Sequence, residues 1–182
     1  YEGFTPKPTK TTHSETGKET WTVGFGSTIP EEDVWKYADG ITKEQAYELM
    51  NTKLDYMVTH INARLNEAGI RITKVQFDAI CSISYFVGRY ENDSFWDPFY
   101  EAIQSDSLDV IIGSGFGQFV RQEGILYSDN FVRRYDEAMT FYTGEYYWTE
   151  GIYRGEAYNN EAKRIINYMQ NTLGITKGQD VV

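Results

Sequence analysis

The residues able to do thiol or imidazole chemistry are few: one cysteine, Cys81, and two histidines, His13 and His60. A single cysteine excludes an internal disulfide framework, and these three residues make no zinc constellation at any usual spacing, so no metal site is expected. Cys81 stands between apolar residues in a helical pattern, which predicts a buried core thiol rather than a nucleophile. The run GSGFG at Gly113–Gly117 has the glycines of a dinucleotide loop without the following helix and acidic residue, and reads as plain loop. The stretch TWTVGFGSTIP, Thr20 to Pro30, offers more: its β-branched and aromatic alternation predicts strand. Gly24 and Gly26 within it either bend the backbone or let something approach it closely. Aromatic residues make up 16% of the chain, including fifteen Tyr and four Trp, a supply that suits a cleft stacking on flat-faced ligands such as sugars. Most of these rings are nevertheless expected to be ordinary core and surface.

These residues must be positioned by a chain of 182 residues that is 41% hydrophobic, long enough for one sizeable core and a single two-lobed domain. Its formal net charge of −10 argues against nucleic acid or an anionic membrane as partner, because no basic patch can release counterions or meet headgroups. No window approaches the roughly 18 apolar residues of a transmembrane helix, and no signal-peptide pattern opens the chain, so membrane insertion is not expected.

Residues up to about 35, with Pro6, Pro8 and a polar run from Thr9 to Thr20, predict a loop leading into a hairpin. A long helix follows, opened by a Thr42/Gln45 capping box, with Ala46, Leu49, Met50, Leu54, Met57, Val58, Ile61 and Leu65 as one apolar stripe. A second helix opens with Thr73/Gln76, is apolar nearly all round from Phe77 to Val87, and ends at Gly88, as a central buried helix would. Arg89 to Gly124 is broken by Pro98 and several glycines into short pieces. A third helix is expected after Asp129 and Asn130 caps, and a last one from about Asn160 to Leu173, stopped by Gly174. The expected organisation is a single domain over 1–182: a strand-rich lobe over about 1–42, a connecting helix over about 43–66, a helical lobe over about 67–174, and a frayed tail or linker over 175–182. A cleft between the lobes is the natural ligand site.

With YEGF at the start, TWTVGFGST after it, QFDAICSISYFVG in the middle and RRYDEA later, the chain resembles the phage-type lysozymes, endolysins that hydrolyse peptidoglycan glycan strands. The blocks also come in the family's order. The resemblance implies an α+β lysozyme-like fold, with a small β-hairpin lobe and a larger helical lobe joined by a long helix. It implies cleavage of the β-1,4 bond between N-acetylmuramic acid and N-acetylglucosamine, without cofactor. Glu2 would be the general acid that protonates the glycosidic oxygen, and Thr22 would help hold the attacking water. Breaking an acetal needs a carboxylic acid kept protonated in a partly desolvated setting, with a second group on the opposite sugar face. Gly24, Phe25 and Gly26 would then bring the hairpin backbone against the saccharide.

The chain departs from the family pattern in several places. An α-ammonium at Tyr1 would hold Glu2 ionised, and the family's first helix would be missing, so the natural chain is expected to continue upstream. The family's Asp, about nine residues after the Glu, falls on Thr11 counted from the left and on Thr16 counted back from Thr22. An insertion around THSETGKET offers His13, Glu15 and Glu19 instead; Glu15 as water-activating base or electrostatic stabiliser, His13 as base. Ser27 replaces the family's His, and Phe86 a polar residue. Arg133, Arg134 and Glu137 match, as a structural ion-pair set. Because the chain is acidic, wall targeting is expected from other phage tail proteins or further domains, in a virion tail or after release to the cell wall. Two other readings stay open: an inactive glycan-binding or structural tail module, and a lytic transglycosylase, against which Thr22 argues.

Overall fold

Strands β1 (Thr5–Thr12), β2 (Glu19–Gly24) and β3 (Ser27–Ile29) form an antiparallel sheet in the order β1-β2-β3. The computed structural model describes residues 3–12, 19–88, 90–122, 125–126 and 128–175, and the chain divides into two compact units, 1–59 and 60–182. The sheet belongs to the first. A loop was expected where β1 runs, because Pro6 and Pro8 lack the N–H groups a ladder needs. An edge strand tolerates them, and the register of β1 against β2 shifts between Thr5 and Thr9, across the two prolines.

Strand alternation gives the sheet two unlike faces. Val23, Ser27 and Ile29 are buried on one, with Trp21 paired to Ile29 beside them. Thr20, Thr22, Thr28 and Thr9 fall on the other, half-buried or exposed. A short 3-10 helix, Glu31–Tyr37, follows the sheet.

Helix α1 (Lys43–Glu67) opens with the expected capping box: the Thr42 amide donates to Gln45 Oε1 at 2.8 Å and the Gln45 amide to Thr42 Oγ1 at 3.2 Å. Ala46, Met57, Ile61 and Leu65 of its apolar stripe are buried, and the other four members half-buried. Gly69, at φ +68°, ends it, and the Ile70 amide reaches back to the Leu65 carbonyl at 2.9 Å. The division between the two units falls inside this helix.

In the second unit α2 (Lys74–Val87) carries the Thr73/Gln76 box and a left-handed cap at Gly88. Ala79, Ile80, Ile83 and Ser84 are its buried residues, while Cys81 is half-buried rather than core as expected. Desolvation pushes the Cys81 thiol up to about 12, which leaves it an unreactive thiol near neutral pH. The region expected to be short broken pieces holds α3 (Asp93–Ala102), with Pro98 inside it, then α4 (Leu108–Val110) and a π turn and 3-10 turn through Phe119. Burial of Phe95, Trp96, Phe99 and Ala102 along one stripe holds α3 helical despite the bond Pro98 cannot make. Phe95 stacks on Phe99 at 5.0 Å, Phe99 meets Phe116 at 5.1 Å, and Phe116 meets Phe141 at 5.9 Å between ring centres. This aromatic cluster is the centre of the second unit. Gly115 and Gly117 belong to it, because a Cβ on either would lie under 3 Å from Ala102 or Ile112.

A two-stranded ribbon, β4 (Arg121–Gln122) and β5 (Ile125–Leu126), precedes α5 (Ser128–Thr143), α6 (Thr149–Ile152) and α7 (Glu156–Asn167), the last running into a π turn, Tyr168–Thr172. α5 starts before the residues read as its caps, and the Asn130 side-chain Nδ2 donates instead to the Val120 carbonyl at 3.2 Å. α7 starts at Glu156, four residues earlier than expected. The chain is mostly helical with one small antiparallel sheet, the α+β class expected. Among the described residues, no helix is long and apolar enough to cross a membrane, and no group of three or more His, Cys, Asp or Glu could hold a metal ion.

Candidate functional site

Thr22 lies in the middle strand, and its Cα partners are Thr9 on β1 and Thr28 on β3. With neighbouring strands about 4.8 Å apart, the three hydroxyls form a row roughly 10 Å long across the open face, close to two pyranose rings in scale. Thr9 donates to the Lys7 carbonyl at 3.5 Å. No described group takes the Thr22 hydroxyl, so it can hold a water or a sugar hydroxyl.

The turn from Gly24 to Gly26 both bends and lets a neighbour come close, as its glycines predict. Gly24 adopts φ +69° and Gly26 φ +77°, both in the left-handed region that favours glycine. A Cβ at Gly24 would lie 2.8 Å from the Ala46 Cβ, so its close approach is to helix α1. Phe25 lies between the tilted rings of Phe4, at 5.6 Å, and Tyr47, at 4.8 Å, and the Lys43 ammonium lies 5.9 Å from the Phe4 ring. The turn is thus pinned to the start of α1, which fixes the strand that carries Thr22.

Of the candidate carboxylates, Glu19 is described and pairs with Lys10, whose ammonium lies 5.5 Å from the Trp21 ring centre. Lys10, Trp21 and Glu19 share the sheet face opposite Thr22, so Glu19 cannot partner Thr22 as the sequence allowed. Thr11, one position to which the family's Asp aligns, pairs through its backbone with Thr20. Glu2, His13 and Glu15 lie outside the described residues, as does Thr16. Ser27 is buried under the sheet with no hydrogen-bond partner among the described residues, so it replaces the family's His without facing Thr22's side.

Arg133, Arg134 and Glu137 gather in the interior of the second unit. Arg134 is 0% exposed; its Nε lies 2.8 Å from Glu137 Oε2, and Ser82 donates to Glu137 Oε1 at 2.6 Å. Arg133 adds a contact at 3.3 Å, and both guanidinium carbons lie 4.7 Å from the Phe86 ring centre. Burial pushes the Glu137 carboxyl up, against the pull of Arg134, Ser82 and Arg133. The side chain at 86 therefore packs on the ion pair where a polar residue was expected to make a hydrogen bond.

Residues 1–107 match the family model for phage lysozyme. The chain belongs to the phage lysozyme family. No curated protein and no solved structure matches it. The matched span holds the sheet, α1, α2 and α3, so the lysozyme family assignment covers the whole threonine face. Thr9 and Thr28 are the members of this face that the sequence did not single out. Their signal is parity: both stand opposite Thr22 once the register is known, and the reading of β1 as loop hid it.

Proposed function

We propose that the chain is a peptidoglycan muramidase that cleaves the β-1,4 bond between N-acetylmuramic acid and N-acetylglucosamine, for phage infection or host lysis. The observation that carries this reading is the Thr22 hydroxyl, presented on the open face of a sheet inside the span matched to phage lysozyme. Glu2 protonates the glycosidic oxygen as the bond to the anomeric carbon lengthens. A water held by Thr22 attacks that carbon, and Glu15 or His13 takes its proton. Gly24, Phe25 and Gly26 set the height of the strand against the saccharide. A separation of about 6.5–9.5 Å between Glu2 and the second carboxylate would give inversion, and one near 5 Å retention. The protein acts from a virion tail or after release to the wall, with targeting supplied by other phage proteins or domains, because an acidic chain of net charge −10 is not drawn to an anionic wall.

The test is turbidity loss and muropeptide mass spectrometry on purified peptidoglycan, with Glu2→Gln, Glu15→Gln and His13→Ala beside the unmodified chain. Release of reducing N-acetylmuramic acid ends that Glu2→Gln abolishes supports the reading, and whichever loop variant also fails names the second group. Anhydro ends would mean a lytic transglycosylase. A second reading, an inactive glycan-binding or tail module, draws on Glu19 being tied to Lys10 on the wrong face and on Thr11 standing at a position to which the family's Asp aligns. It predicts walls that are bound, left intact, and bound equally by Glu2→Gln.

A further inference from the structure

The second unit carries a hollow of about 590 Å³ beyond the span matched to phage lysozyme, lined by Tyr146, Trp148, Tyr153 and Tyr158 with one carboxylate, Glu150, and one guanidinium, Arg154. Its rings are open to solvent, Tyr146 at 69% and Trp148 at 53% exposure, yet each is held. The Tyr146 hydroxyl donates to Asp78, which also pairs with Lys74. Trp148 packs against Gly151, where a Cβ would come within 2.4 Å of the indole. The backbone between them is fastened to α5 twice: the Tyr147 amide donates to Thr140 Oγ1 at 3.0 Å, and the buried Asp136 takes the Thr149 amide at 3.0 Å and the Thr149 hydroxyl. Gly155, at φ +58° and ψ −128°, turns the chain after Arg154 in a conformation open to glycine alone. Arg154 pairs with no described carboxylate.

Fixed, solvent-facing rings suit the apolar C–H face of a pyranose, and a lone guanidinium suits a carboxylate. The geometry points to a second saccharide site, built from other residues than the threonine face, that takes an N-acetylated amino sugar bearing a carboxylate. The rings stack on the sugar, Arg154 takes the carboxylate, and Glu150 accepts from a hydroxyl or amide N–H. The identity of that sugar as a muramic acid unit of the wall rests on the muramidase reading, and the site would hold an acidic protein on a wall glycan without a basic patch.

The test follows the Trp148 indole N–H by NMR in the full chain while N-acetylmuramic acid, N-acetylglucosamine or inorganic phosphate is added. Both sugars are expected to shift it, N-acetylmuramic acid binding about tenfold tighter, and phosphate to leave it still. Arg154→Gln, an exposed change, removes that preference; Trp148→Ala weakens both sugars about tenfold, with Tyr158 signals as readout and circular dichroism as the check on folding. No shift with either sugar, equal competition by phosphate, or a preference untouched by Arg154→Gln overturns the site. Neither monosaccharide has a glycosidic bond to cleave, so the two readings fail separately. Wall clearance without binding at Trp148 sinks this site alone, and binding by a chain that clears no wall sinks the muramidase reading alone.

Discussion

Thr22 stands between two other threonines, and the three side chains are not equivalent. Thr9 spends its hydroxyl on the Lys7 carbonyl and, like Thr28, is exposed at one end of the row, while Thr22 is central and half-buried. A group that holds the attacking water acts in the transition state; one that touches the sugar binds ground and transition states alike. Thr22→Val keeps the β-branched shape a sheet prefers and removes only the hydroxyl. It is expected to lower kcat on purified peptidoglycan roughly a hundredfold, with stability unchanged within about 0.5 kcal/mol. Thr22→Ser restores most of the rate. Thr28→Val raises KM a few-fold and leaves kcat in place. Steady-state kinetics on the three variants decides it: a KM effect alone at Thr22 would remove it from the water. The strand that carries Thr22 was legible from its block, TWTVGFGST, because β-branched and aromatic alternation is a local pattern. Which group would stand beside Thr22 was not, because an insertion breaks the spacing from Glu2 and spacing was the only guide.

Helix ends were the most legible elements, because a capping box is a local device whose partners lie three residues apart. Thr42/Gln45 and Thr73/Gln76 both form as read. What the spacing of Thr73 and Gln76 could not disclose is a second task of Gln76, whose Nε2 donates to the Phe141 carbonyl of α5 at 3.2 Å, 65 residues away. Thr73→Ala should lose one cap, about 1 kcal/mol, whereas Gln76→Ala loses a cap and an interhelical bond, about 2 kcal/mol. Equal losses in urea denaturation would show that the Phe141 contact contributes nothing. The same limit explains the misread elements. β1 hides because its two prolines are tolerable only on a sheet edge, and α3 hides because Pro98 breaks its pattern while distant rings of Phe116 and Phe119 hold it together. Local rules read local bonds, and these two elements exist by long-range ones.

At the scale of the whole molecule, the acidic chain stores its least comfortable charges in α5. Asp136 and Glu137 are adjacent and both nearly inaccessible. Glu137 has Arg134 against it. Among the described residues, the Asp136 carboxylate has only the Thr149 amide and hydroxyl, and burial, with Glu137 nearby, raises it to about 6 from an ordinary 3.8. The folded protein therefore binds this proton more tightly than the unfolded chain does. Its contribution to stability is complete below about pH 4 and is lost as pH rises through 6. Asn at this position imitates the protonated acid: its oxygen accepts from the Thr149 amide and its nitrogen donates to the Thr149 hydroxyl. Asp136→Asn should match the unmodified protein in thermal melts near pH 4 and exceed it at pH 7 by on the order of 2 kcal/mol. Because Asp136 also fastens the Tyr146–Tyr158 segment, a carboxylate that ionises there loosens the anchor of the aromatic hollow. Parallel melting curves for the two proteins between pH 4 and 7 would show that Asp136 stays ionised throughout, and that its bonds to Thr149 outweigh its burial.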